Sequence, residues 1–272
     1  MTIESLLRQN FGRRHMNVIS RARSLVYTPD DYRIDRRLHP GLRSMGGHGL
    51  KPFVDFREYA GELRWFTILR EPIERFISHF EHQVERTGYT SDFMEWMRKY
   101  RRSNFQVRMI AGEEDLEAAK QILDAKFACE GLQCEFNKSL LLMRHALNLG
   151  GFSVNYIKAS NVSKGRTRQR IYDSFHRYQD ELNDNNDLDL KLYDYVRKRR
   201  WPEQVSDYGK QKLENDQSRT FVQAALPIGY RLCQIQYVTF RNLVYKPACY
   251  LQKLRSPRHR ERDVAEEATR GS

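Results

Sequence analysis

Apolar residues follow two patterns in this chain: short unbroken runs and a recurrence near 3.6 residues. From Trp65 to Leu69, five residues in succession are aromatic, β-branched or aliphatic. That composition suits a strand buried on both faces, as in a parallel sheet. Arg70-Glu71-Pro72 ends the run, and Pro72 suits the first position of a helix, where no N–H is required. Beyond it Ile73, Phe76, Ile77, Phe80 and Val84 recur on one helical face, with Arg75, Ser78 and His82 on another. A buried strand thus leads through a charged corner into a helix N-terminus, where free N–H groups and the helix dipole favour an anion. Arg70 adds a bidentate cation and Ser78 a hydroxyl two turns along. The competing expectation is that Arg70 pairs with Glu71 or Glu74 and that Ser78 is merely solvated.

The same patterns predict the remaining elements. Ile3, Leu6, Leu7 and Phe11 mark an N-terminal helix, and residues 12–43 read as loops with short helices. Residues 91–101 form a short helix with Phe93, Trp96 and Met97 inward, and residues 113–126 one with Leu116, Ala119 and Leu123 inward. Phe127-Ala128-Cys129 reads as a buried strand before a Gly131-Leu132 turn, and a helix follows from Glu135 with Phe136, Leu140, Met143 and Leu147 aligned. Two further helices carry Ile171, Phe175, Tyr178 and Leu182, then Leu188, Leu192 and Tyr195. Asp187 caps the second, across a turn at residues 183–186. Strands alternating with helices imply an α/β fold with a parallel sheet. Residues 210–250 read as an added helix or hairpin, and residues 251–272 as a basic disordered tail.

Composition narrows the possibilities. At 272 residues the chain can bury one large core. It contains no apolar stretch of membrane-spanning length and no signal-peptide pattern, which makes the cytoplasm the simplest compartment. The formal charge of +12 suits polyanionic partners. Part of it lies in Arg197-Lys198-Arg199-Arg200, read as a solvated face. No zinc-finger, RNP or helix-turn-helix signal accompanies the charge, so nucleic acid is not the expected partner. Cys129, Cys134, Cys233 and Cys249 lack metal or redox spacing, and no metal is expected.

Thr67-Ile68-Leu69-Arg70-Glu71-Pro72, with Glu74-Arg75-Phe76-Ile77-Ser78 after it, resembles the 3′-phosphate-binding segment of sulfotransferases that use 3′-phosphoadenosine 5′-phosphosulfate (PAPS). The likeness is to the carbohydrate branch of that family, of the heparan-sulfate 2-O-sulfotransferase kind. It spans roughly residues 2–209 of a domain placed at residues 1–250. It implies a helix-rich, three-layer P-loop-kinase-like fold around a central parallel sheet. Arg70 and Ser78 would hold the 3′-phosphate of PAPS, the co-substrate. The Gly-His element within Ser44-Met45-Gly46-Gly47-His48-Gly49 makes His48 the candidate general base, a role an imidazole suits at physiological pH. The alternative is a His48 satisfied by a turn carbonyl. Asn104-Phe105-Gln106-Val107-Arg108 resembles an Asn-x-Gln-x-Arg segment, which makes Asn104 and Arg108 acceptor-side or structural candidates. Asn161 and Ser163 fall where relatives place a loop near the adenosine.

The family's 5′-phosphosulfate loop, with its lysine, lies upstream of the first helix, and this sequence has no matching element. The expectation is therefore a chain that begins inside the first unit of its fold, its first strand missing. The family's Golgi members make the Golgi lumen the alternative compartment. The function implied is sulfuryl transfer from PAPS to a hydroxyl, most naturally on a carbohydrate. The alternative is a catalytically inactive relative that binds a nucleotide or glycan.

Overall fold

A computed structural model describes residues 2–18, 26–87, 92–100, 103–155, 178–220 and 235–247. The chain divides into two compact units, one formed by residues 51–224 and the other by residues 3–50 with the C-terminal segment from residue 225. The fold is mixed α/β and helix-rich, and the described residues form two small parallel sheets of two strands each.

In the larger unit β3 (Trp65–Leu69) leads into α3 (Pro72–Thr87), as the run and its proline predict. Next come α4 (Phe93–Tyr100), α5 (Phe105–Ala111), α6 (Leu116–Lys126), β4 (Phe127–Leu132) and α7 (Phe136–Ala146). Helix α8 covers residues 178–185, followed by α9 (Asp187–Tyr195), α10 (Trp201–Tyr208) and α11 (Lys210–Thr220). Strands β3 and β4 pair in parallel, with a bulge between Trp65 and Phe66. Only Leu69 of β3 is fully buried. The expected burial on both faces is therefore corrected: β4 is the strand's one described partner, and residues 65–68 stay half-exposed.

Two apolar clusters hold this unit. Leu69, Val107, Ile110, Leu123, Leu132 and Leu192 join the strands to α5, α6 and α9. Ile73, Phe76, Ile77, Phe80, Phe93, Trp96, Met97 and Leu182 join α3 to α4 and α8. Phe76 meets Trp96 edge-on at 5.2 Å and Phe80 meets Phe93 likewise at 5.2 Å, while Phe93 and Trp96 lie stacked 6.3 Å apart, arrangements their quadrupoles favour.

Gly131 lies inside β4, where a turn was expected. A side chain there would put its Cβ 2.6 Å from Ser139 Cβ and 3.1 Å from Ile68 Cγ1. Ser139 cannot give way, because its Oγ accepts from the Leu132 N–H and donates to the Leu132 carbonyl, both at 2.9 Å. Gly131→Ala should therefore cost about 3 kcal/mol in stability through overpacking. The check is a urea-unfolding midpoint, and an unchanged midpoint would show that β4 and α7 are less closely apposed.

Between α8 and α9 the predicted four-residue turn is corrected to a break at Asn186 alone. Asn186, rather than Asp187, stands at the N-cap, and its Nδ2 donates back to the Leu182 carbonyl at 2.8 Å. Helix α9 then passes through a wide turn, Val196–Arg200, into α10. Pro202 accounts for the widening. It lacks an N–H, and its ring would strike the carbonyl four residues back in a regular helix. Widening brings Arg200 onto β4, where it pairs with the buried Glu130 at 3.3 Å. The basic run is thus not wholly a solvated face, since Arg200 points inward while its three neighbours pair with Asp194 or Glu203 outside.

The smaller unit contains α1 (Thr2–Phe11), β1 (His15–Asn17), α2 (Pro29–Leu38), β2 (Ser44–Gly46) and α12, residues 235–247. Strands β1 and β2 pair in parallel, and β1 falls in the stretch expected to hold loops with short helices. His15 is buried between Glu4 Oε1 at 3.0 Å and Ser44 Oγ at 3.1 Å, and so ties α1 to both strands. Burial works against the Glu4 carboxylate, yet the hydrogen bond and charge of His15, with Asn17 and Arg8, hold its pKa down at about 2. Thr28 and Asp31 close a capping box at the start of α2.

Among the described residues no helix is long and apolar enough to cross a membrane. Residues 251–272 lie outside the described residues, as do Cys233 and Cys249.

Candidate functional site

The C-terminal end of β3 is the natural place for a ligand, because parallel strands open their crevice at that edge. Arg70 stands there, half-buried, and its guanidinium lies 3.8 Å from Glu74 Oε2. The pairing weighed as the competing expectation is therefore present, although the gap is wide for a salt bridge between half-exposed groups. Ser78 follows on the strip of α3 that carries Glu74 and Arg75, a face set by three- and four-residue spacing. It is half-buried, and its hydroxyl makes no hydrogen bond among the described residues.

The helix start itself is occupied. Glu71 turns its carboxylate back onto the Glu74 N–H at 2.6 Å, and burial pushes its pKa up against the pull of the Ile73 N–H and Arg70. An anion bound here would thus be held by the side chains of Arg70 and Ser78 more than by free backbone donors.

The main chain of Arg70 is locked from outside its own element. Gln106 Oε1 accepts the Arg70 N–H at 3.0 Å, and Gln106 Nε2 donates to the Arg70 carbonyl at 2.9 Å. Gln106 is held in turn by Asp189 of α9, whose carboxylate accepts the N–H groups of Gln106 and Val107 at 2.9 and 2.8 Å. Asp189 is wholly buried. Burial raises its pKa, and the two N–H bonds and the Arg75 charge oppose the rise. Arg75 also lies over the Phe105 ring, 4.6 Å from its centre. Sequence reasoning read Gln106 only as a member of the Asn-x-Gln-x-Arg segment, without a role, and did not single out Asp189. The one available signal was a polar residue of each kind at an inward helical position, which rarely happens unless its hydrogen bonds are made.

The other sequence-predicted residues fall in different places. Asn104 is buried and stands in the left-handed region ahead of α5, at φ 46°. Its Oδ1 accepts from the Leu188 and Asp189 N–H groups, and its Nδ2 donates to Glu114 at 3.2 Å. Those bonds tie α5 to α9. Arg108, one turn on, is exposed and 3.9 Å from Glu114. His48 is exposed and belongs to the smaller unit. Beside it Gly49 is buried, and a Cβ there would meet Val18 Cγ1 at 2.9 Å, so this glycine serves the unit's own packing. Asn161 and Ser163 lie outside the described residues. Among the described residues there is no group of three or more His, Cys, Asp or Glu placed to hold a metal.

No protein-family model, curated protein or solved structure matches this chain.

Proposed function

We propose that the chain is a PAPS-dependent sulfotransferase acting on a hydroxyl, in the first instance of a carbohydrate, with a P-loop-kinase-like fold. The observation that carries this reading is the corner at the end of β3. Arg70 stands on a main chain clamped by Gln106, and the open hydroxyl of Ser78 lies two turns into the helix that follows. A guanidinium and a hydroxyl so placed suit a phosphate monoester on a ribose. The parallel pairing of β3 with β4 and the helices after each strand agree with the α/β class that the resemblance implies.

In the proposed reaction the acceptor oxygen attacks the sulfur of PAPS in line with the bond to the 5′-phosphate. That bond breaks, 3′,5′-ADP departs, and the hydroxyl proton passes to a general base. Such a transfer asks the protein for positioning and charge stabilisation and for no covalent step of its own.

The test is nucleotide selectivity. 3′,5′-ADP should bind at least about tenfold more tightly than 5′-AMP or 2′,5′-ADP, the scale of one charged hydrogen bond. Equal affinity for all three would remove the 3′-phosphate site and the reading with it. Selective binding without transfer from labelled PAPS to any member of a carbohydrate panel would assign the chain to the non-catalytic alternative.

A further inference from the structure

Lysines in a folded protein usually keep the ammonium in water or pair it with a carboxylate. Lys51 does neither. It is half-buried, its Nζ lies 2.7 Å from Met109 Sδ, and no carboxylate comes within 4 Å of it among the described residues. An ammonium carries three donors, and a thioether is a weak acceptor. Burial lowers the pKa of Lys51, as expected for a cation deprived of water without compensation.

The segment that carries this lysine is fixed on several sides. The Val54 N–H donates to the Lys51 carbonyl at 3.1 Å. Lys126 donates to the carbonyls of Pro52 and Val54 at 2.6 and 3.1 Å. The Phe53 ring packs on Gly112, where a Cβ would come within 3.2 Å of it. The chain therefore holds the Lys51 backbone firmly while leaving its charge unanswered.

The same helix addresses Arg70. Gln106 and Met109 are three residues apart on α5 and so neighbours on its surface, and Gly112 caps the end of the same helix. Gln106 clamps the Arg70 main chain, Met109 touches the Lys51 ammonium, and Gly112 receives Phe53. Lys51 thus meets α5 about one helical turn from the residue that fixes the β3 corner, roughly 5–6 Å along the helix surface.

We propose that Lys51 is an oxyanion-binding residue of the same site as Arg70, its ammonium taking a phosphate, sulfate or carboxylate oxygen of a bound substrate. The sulfotransferase reading enters only in naming which substrate supplies that oxygen. The donor's phosphosulfate and an acidic group on the acceptor sugar offer the same chemistry.

Acylation of lysines by an amine-reactive acetyl ester, read residue by residue by mass spectrometry, tests this on the intact chain. Inorganic sulfate should slow the labelling of Lys51 about threefold at twice its dissociation constant, following 1 + [L]/Kd. Chloride at equal ionic strength should not slow it. Lys126, already held by two carbonyls, should keep its rate and serves as the internal reference. Equal Lys51 rates in sulfate and chloride overturn the assignment, whatever the nucleotide results show. Protection by 3′,5′-ADP gives the oxyanion to the donor, and protection by a uronic-acid-bearing oligosaccharide gives it to the acceptor. Lys51→Met should weaken whichever probe protects by about tenfold. Protection by sulfate in a protein that does not bind 3′,5′-ADP would sustain the Lys51 site and overturn the sulfotransferase reading.

Discussion

Asp189→Ala should lower stability by about 3 kcal/mol, because it strands two buried N–H groups at once. The Gln106 and Val107 amides both donate to this one carboxylate. Asp189→Asn keeps one acceptor oxygen and should lose about half as much, on the same per-bond scale. The effect should also reach the corner of β3. Gln106 loses its frame, the Arg70 main chain loses its clamp, and 3′,5′-ADP affinity should fall more steeply than for a surface variant of equal stability. Urea midpoints and nucleotide titration read the two consequences separately. A variant as stable as the parent would show that these amides find other partners.

Arg200→Met should also lower stability, by about 1.4 kcal/mol near pH 8, since it leaves the buried Glu130 without its cation and obliges it to keep its proton. The loss should depend on pH. Burial pushes the Glu130 pKa up to about 7, with the Arg200 charge and hydrogen bond pulling the other way, against an ordinary value of 4.5. Between those values the folded chain holds a proton that the unfolded chain has released. The Glu130 contribution to stability is therefore complete below pH 4.5 and is lost as the pH rises through 7, about 3 kcal/mol in all. Removing Arg200 raises the pKa further, so the variant should be close to the parent at pH 5 and fall away at pH 8. Glu130→Gln should flatten the slope across this window, with Gln204 still able to reach the amide that replaces the carboxylate 2.9 Å away. Thermal unfolding from pH 4.5 to 8 is the check, and a parent curve with no fall across that range would contradict the account of Glu130.

What the sequence announced, and what it hid, follow from the range of the interactions. The β3–α3 corner was legible because everything that makes it is local: five strand-forming residues, a proline at the helix start and an apolar stripe. Helices α4, α6 and α7 were legible for the same reason. Strands β1 and β2 were not, since three residues are too few to display a period, and their pairing spans 29 residues. The inward turn of Arg200 was hidden because it depends on the wide turn before Pro202. Arg70 and Ser78 were proposed through a motif, but the side chains that hold Arg70 in place were not anticipated. Gln106 lies 36 residues from Arg70, and Asp189 lies 83 from Gln106. Bonds over such distances leave no local mark beyond a polar residue on an inward face.

The proposed donor corner can be probed directly by titration calorimetry of 3′,5′-ADP against the parent chain and Arg70→Ala. The backbone at this position is held by Gln106 through main-chain atoms, so the variant should keep its unfolding midpoint. The account predicts saturable binding to the parent and a loss of about 2 kcal/mol or more in the variant, close to thirtyfold in affinity. Equal affinity in a folded variant, or no binding to the parent at all, would contradict it.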